Sequence, residues 1–172
     1  MQTPADIRFM VDHMLIKLGK YLRILGYDAV WDPALRTHEL ILRANAEDRV
    51  FLTRNTRLAH QYPPPRRLAT LTTTAPVEQL RQIVRAFDLD PASGWFSACI
   101  RCNRRLEPIP DKRAIRERVH PNVYARYERF FRCPQCGTVF WKGSHVRNTG
   151  RKLGWPAGPP EAPSAPPLNP GP

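Results

Sequence analysis

Cys99-Ile-Arg-Cys102 and Cys133-Pro-Gln-Cys136 each set two thiols on a short turn, and thirty residues separate the two turns. Four thiolates so arranged can occupy the corners of a tetrahedron about 2.3 Å from a Zn²⁺ ion. Gly137 follows the second turn, where a backbone of positive φ is often needed. Four thiolates complete the coordination shell and leave no position open for a substrate, so the implied zinc is structural. Two disulfides, a redox pair or coincidence are the competing readings, and the expected lack of a secretory signal together with two paired turns argues against them.

A second set of residues offers oxygen. Asp12, Asp32 and Asn55 each follow a short apolar run that reads as a strand. Asp at such a place also has a plain structural use, since it ends strands and begins turns, and Asp32 before Pro33 reads best that way. Asn55 likewise suits a helix N-cap. Glu39, near a helix start, complements the helix dipole. His13 reads as a surface neighbour of Asp12. Asp12 is the strongest candidate for chemistry.

The elements that must carry these residues follow from hydrophobic spacing. Ile7 to Val11 is apolar and ends at Asp12; Met14, Leu15, Leu18, Tyr21, Leu22 and Leu25 then recur at helical spacing up to Gly26. A strand around Ala29 to Trp31 leads to a helix that Thr37 can cap, with Leu40, Ile41 and Ala44 on one face. Val50 to Leu52 is the third strand, with a short helical stretch through Leu58 after it, and Leu68 to Leu71 the fourth. Pro76 opens a last helix with a stripe of Val77, Leu80, Ile83, Val84 and Phe87. Strands alternating with helices predict a parallel sheet covered by helices, and such sheets gather ligands at the carboxyl ends of their strands. The predicted division is an α/β domain over 7–92, a zinc ribbon with basic helices over 95–150, and a disordered Pro-rich tail over 153–172. Helical pieces are expected near Arg113 to Arg118 and Val123 to Phe131, with a final strand at Val139 to Trp141.

The chain carries a formal charge of +12, unevenly placed: residues 99–153 hold 14 Lys and Arg against 4 Asp and Glu, whereas residues 1–98 hold 13 against 10. A cationic excess concentrated beside a metal site marks a polyanion-binding face, and nucleic acid is the commonest such partner. Arg suits phosphate because its planar fork donates paired hydrogen bonds. The candidate RNA contacts are Arg54, Arg101, Arg104, Arg105, Lys142 and His145, the last read equally as a packing residue. Tyr124, Tyr127 and Phe131 lie at helical spacing and read as core. No stretch has the roughly 20 apolar residues of a membrane span, which predicts a soluble, cytoplasmic protein. No feature points to a protein partner.

In their order, Phe9-Met-Val-Asp12-His-Met-Leu15, Leu22-Arg-Ile-Leu-Gly-Tyr-Asp28, Phe51-Leu-Thr-Arg54-Asn55, the two cysteine turns and Phe140-Trp-Lys-Gly-Ser-His145 resemble the Mut-seven C-terminal ribonuclease domain family. The resemblance spans roughly Arg8 to Val146. It implies a PIN-like fold in which strand-end carboxylates hold Mg²⁺ or Mn²⁺ for hydrolysis of RNA phosphodiesters, the ribbon helping to bind RNA. Asp12 matches the first metal ligand and Glu39 the second acidic region. Two positions depart from the family pattern: Asn55 stands where Asp is usual, and Thr72-Thr-Thr-Ala-Pro76 replaces an acidic turn. The alternative reading is therefore a catalytically impaired RNA-binding or regulatory module, and a third is a ribbon that binds duplex DNA.

Overall fold

The computed structural model describes residues 6–60, 63–91 and 93–154, except the side chains of His145, Val146, Lys152 and Leu153. The tail predicted to be disordered lies outside the described residues from 155 onward, as does the side chain of His145. The chain forms two compact units, Met1–Arg105 and Leu106–Pro172.

In the first unit, β1 (Arg8–Val11) leads through a 3-10 turn (His13–Leu15) into α1 (Ile16–Ile24), followed by β2 (Asp28–Val30), α2 (Thr37–Ala46), β3 (Val50–Thr53), a second 3-10 turn (Leu58–His60), β4 (Leu68–Thr70) and α3 (Pro76–Ala86). The four strands pair in parallel in the order β2-β1-β3-β4. β1 and β3 are central, and β3 is buried along its whole length, as expected of strands covered on both faces. Met10 and Phe51 pack against Leu40, Ile41 and Ala44 of α2. Phe9 meets Tyr27 and Phe87 edge-on, with ring centroids 6.4 and 5.7 Å away. The alternation of β1 thus feeds two separate apolar layers.

Each predicted strand and helix of this unit is present. The cap of α2 differs: Thr37 is the first helical residue, and Arg36 takes the N-cap position in extended backbone. At the amino end of the sheet, Arg49 is buried and donates to both oxygens of Asp28 at 2.8 and 3.1 Å, and also to Glu47. Burial opposes the Arg49 charge, yet the hydrogen bonds with Asp28 and Glu47 outweigh it and hold its pKa above the ordinary value.

The second unit holds an antiparallel sheet in the order β5 (Glu107–Pro108), β6 (Phe130–Arg132), β7 (Val139–Trp141), with α4 (Pro121–Arg126) before β6 and α5 (Ser144–Leu153) after β7. Its core is Ile115, Tyr127 and Phe130, with Val123, Val139 and Trp141 packed against them. The helix expected from Val123 to Phe131 is present only up to Arg126, and its second half is corrected here. Tyr127 is already extended (φ −116°, ψ 140°), and Phe130 and Phe131 belong to a strand. Period-2 alternation places Phe130 inside and leaves Phe131 half-buried, so Tyr127 and Phe130 supply the core in place of the helical stripe. The piece near Arg113 is a 3-10 turn, Lys112–Ile115. β5 and α5 were not anticipated.

Candidate functional site: a thiol cluster and a strand-end carboxylate

The two cysteine turns are built alike. In the first, the N–H of Cys99 donates to the carbonyl of Arg104 (2.8 Å) and that of Asn103 to the carbonyl of Cys99 (2.9 Å). In the second, Cys133 donates to Thr138 (3.0 Å) and Gly137 to Cys133 (2.9 Å). The equivalent residues Asn103 and Gly137 both have positive φ, 59° and 68°. Glycine takes this conformation freely, and Asn is among the few other residues that tolerate it. The second turn closes the hairpin between β6 and β7.

One ligand atom from each of Cys99, Cys102, Cys133 and Cys136 lies within 4.8 Å of the others. A regular tetrahedron with Zn–S near 2.3 Å has edges of about 3.8 Å, so the donor set and its spacing fit a zinc ion. Cys99 and Cys133 are buried, whereas Cys136 is exposed. The N–H of Cys102 points to Cys99 Sγ at 3.4 Å, the kind of contact that stabilises thiolate charge. Among the described residues, this is the group of three or more His, Cys, Asp or Glu side chains placed to hold a metal ion.

The oxygen-bearing residues sit at the carboxyl edge of the parallel sheet. Between β1 and β3 the strand order reverses direction, and crevices at such reversals are where open α/β sheets receive ligands. Asp12 follows β1 and is 4 % exposed. Its Oδ1 accepts from the His13 N–H at 2.7 Å, and its Oδ2 accepts from Thr53 Oγ1 at 2.6 Å. Thr53 ends β3 and is fully buried, and its Oγ1 accepts in turn from the N–H of Asn55 at 3.0 Å. The two strand ends that flank the reversal are thus joined through side chains. Among the described residues each carboxylate oxygen of Asp12 accepts one hydrogen bond, with His13 Nδ1 also 3.6 Å from Oδ1. A carboxylate oxygen's second lone pair suits a hard cation such as Mg²⁺ or Mn²⁺ in kind.

The remaining candidates have local structural engagements. Glu39 Oε2 accepts from the Arg36 N–H at 2.7 Å, across the first turn of α2. Asn55 Oδ1 accepts from the Arg57 N–H at 3.0 Å. Asp32 Oδ1 accepts from the Ala34 N–H at 3.0 Å, the turn role that the following proline suggested. Its backbone carbonyl lies 3.2 Å from His13 Nε2, so His13, 37 % exposed at its side chain, bridges the ends of β1 and β2 rather than standing apart on the surface. Arg54, beside Thr53, has a buried Nε with no hydrogen-bond partner among the described residues. Arg101, Arg104 and Arg105 are exposed, and Lys142 is half-buried.

Sequence reasoning missed Thr53 and Arg23. Thr53 stood inside a quoted motif, but a threonine in a strand reads as β-propensity and nothing more. Arg23 read as one cation among many, and nothing in its helical position announced that it would be buried at 4 % exposure.

A parallel α/β sheet with a strand-end carboxylate, in a chain that also bears a four-thiol metal ribbon, defines the class. The model of the family described as Mut7-C RNAse domain matches residues 7–153, and the chain belongs to that family. The search of curated proteins found no match. No helix among the described residues is long and apolar enough to cross a membrane.

Proposed function

We propose that the chain is a metal-dependent ribonuclease whose hydrolytic centre is organised by Asp12, with the thiol cluster holding structural zinc and the basic segment around it binding RNA. The observation that carries the reading is the buried Asp12 carboxylate, held by Thr53 and the His13 N–H at the reversal of strand order, in a member of an RNAse domain family. A PIN-like α/β domain over 7–92 would present the site, and a ribbon over 95–150 would grip the substrate. Asp12 would hold a divalent ion, assisted by Glu39 and by the neutral oxygen of Asn55. Such an ion, when bound, polarises the phosphodiester and lowers the pKa of a coordinated water. The protein's own part is to fix the carboxylate through Thr53 and to bring cations to the phosphates. Arg54 is the nearest in sequence to the site, and its unmatched Nε is a donor in search of an acceptor.

The test uses the full chain with labelled single-stranded and structured RNA, in Mn²⁺ or in EDTA. Cleavage that requires Mn²⁺ and is lost in Asp12→Asn is expected. Undiminished cleavage by that variant refutes the assignment.

One observation favours the second reading, an RNA-binding module that does not cut. One side-chain oxygen of Glu39 and that of Asn55 already serve local turns, and among the described residues Asp12 is the one buried acid at the site. Asn55→Asp decides between the two: a weak nuclease gains metal-dependent activity from the added charge, while a pure binding module gains none.

A further inference from the structure

We infer that Arg23 is a positioning residue for the zinc centre, and that through it the metal holds down the open edge of the parallel sheet. The inference concerns the thiol site alone and does not depend on the ribonuclease reading.

β2 lies at the edge of the sheet, so one row of its backbone groups has no strand partner. Its register with β1 leaves Ala29 facing outward. Both of Ala29's polar backbone groups are nonetheless satisfied. Its carbonyl accepts from Arg23 Nε at 2.7 Å, and its N–H donates to Asn103 Oδ1 at 3.3 Å. Both side chains lead to the first cysteine turn. Arg23 Nη1 donates to the carbonyls of Ile100 and Arg101, at 3.0 and 2.8 Å, and these are the two residues between Cys99 and Cys102. Asn103 follows Cys102 directly, and its Nδ2 also donates to Asp28 Oδ1 at 2.5 Å. The turn that carries two thiols therefore does the work of a fifth strand, by side chains.

Among the described residues, no carboxylate forms an ion pair with Arg23. Its guanidinium carbon lies 3.7 Å from the centroid of the Trp31 ring, and its residue exposure is 4 %. Burial pulls its pKa down to about 10, and the negative charge of Cys99, then Asp28, then Cys102, works against that fall. Four thiolates around a dication carry a net charge of −2, which a buried guanidinium hydrogen-bonded to the two residues between Cys99 and Cys102 can offset. Without metal the centre and its charge are no longer assembled, and that compensation goes. The arginine then has a buried charge and a turn no longer fixed by the ion. Linkage makes the effect reciprocal: if Arg23 favours the loaded centre, the loaded centre favours Arg23 in its seat over Ala29.

Two measurements on the full chain test this. In the first, zinc affinity is measured by chelator competition for the wild type, Arg23→Lys and Arg23→Met, with far-UV circular dichroism confirming the fold. Outer-shell partners of metal ligands typically contribute 10–100-fold in affinity. A loss of about tenfold or more is expected in Arg23→Met, with partial rescue in Arg23→Lys, which retains charge but not the fork. In the second, amide hydrogen exchange is followed at Ala29 in the wild type, loaded with zinc and stripped of it. Faster exchange at Ala29 in the stripped chain, with Phe51 in central β3 unchanged, is expected. Wild-type zinc affinity in folded Arg23→Met, or exchange at Ala29 indifferent to zinc, overturns the inference. The Ala29 N–H is held by Asn103 of the same turn, so the second measurement reads the metal's hold on the sheet edge and needs no variant. Arg23→Lys reads the part of the guanidinium if Arg23→Met fails to fold. Neither measurement involves RNA, and failure here leaves the hydrolytic proposal standing.

Discussion

Thr53 Oγ1 donates to Asp12 Oδ2 at 2.6 Å, and both residues are buried. The bond ties the end of β3 to the end of β1 across the reversal of strand order, and it fixes the rotamer of the carboxylate on which the proposed chemistry depends.

Thr53→Val keeps the shape of the side chain and removes its hydroxyl. The variant leaves Asp12 Oδ2 and the Asn55 N–H without this partner, which costs about 1–3 kcal/mol for each buried group left unpaired. If Asp12 binds a divalent ion, metal-dependent RNA cleavage falls by about 10–100-fold, the usual effect of losing an outer-shell partner. Denaturant midpoints and cleavage rates measured on the same preparation separate the two losses. Unchanged cleavage in Thr53→Val would show that the hydroxyl does not orient the acid.

Cys133→Ser removes one of two buried thiols of the cluster. Zinc content is expected to drop from about one ion per chain to near zero, because structural four-thiolate sites lose most of their affinity with any one ligand. Metal analysis of the purified chain measures this directly. The β6–β7 hairpin should then lose amide protection, since its turn is the second cysteine turn. Full occupancy in the variant would exclude the four-thiol site.

Acid should loosen the amino end of the sheet. Burial alone would raise the pKa of Glu47, but its hydrogen bonds with Arg43 and Arg49 outweigh burial and set it below the ordinary value. A carboxyl group whose pKa is lower folded than unfolded stabilises the fold fully above its unfolded pKa, about 4.3, and that contribution is lost as pH falls through the folded value. Stability followed by urea denaturation should therefore decline below about pH 4.5, and Glu47→Gln should flatten that part of the profile.

Gly26→Ala should be poorly tolerated. Gly26 has φ +87°, and a Cβ there would collide with the carbonyl oxygen of Gly94 and come within 2.6 Å of Ser97 Oγ. The backbone cannot retreat easily, because Gly26 closes α1 by donating to the Arg23 carbonyl at 3.0 Å. A loss of about 1–3 kcal/mol from strain and overpacking is expected in thermal or denaturant unfolding. Zinc affinity should weaken with it, since Arg23 lies at the same helix end.

Much of the first unit was legible because its signals are local. Apolar runs closed by Asp12 and Thr53, and helices with apolar spacing up to Gly26 or following Pro76, announce their elements within a few residues. The basic segment was harder to read. Phe130 and Phe131 continue the aromatic spacing of Tyr124 and Tyr127 on a helical count, yet strand pairing with Val139–Trp141 set their alternation. β5 is a two-residue strand formed only by pairing with β6, and no propensity marks it. Glu39 and Asn55 carried acid and amide groups at promising places, but whether such oxygens face a ligand or a neighbouring N–H depends on a first-turn geometry that composition does not encode.

Residue type and spacing alone determined the four-thiol site, because Cys-x-x-Cys turns impose their own local geometry and tetrahedral zinc demands little else. They also determined the parallel sheet, since strand and helix periods are properties of short segments. Only the tertiary structure decided that Thr53 holds Asp12 and that Arg23 joins the cysteine turn to β2. Those contacts connect residues 41 apart in one case and 77 and 78 apart in the other, and proximity across such separations arises from packing, where burial turns an ordinary polar side chain into one that must find its partner.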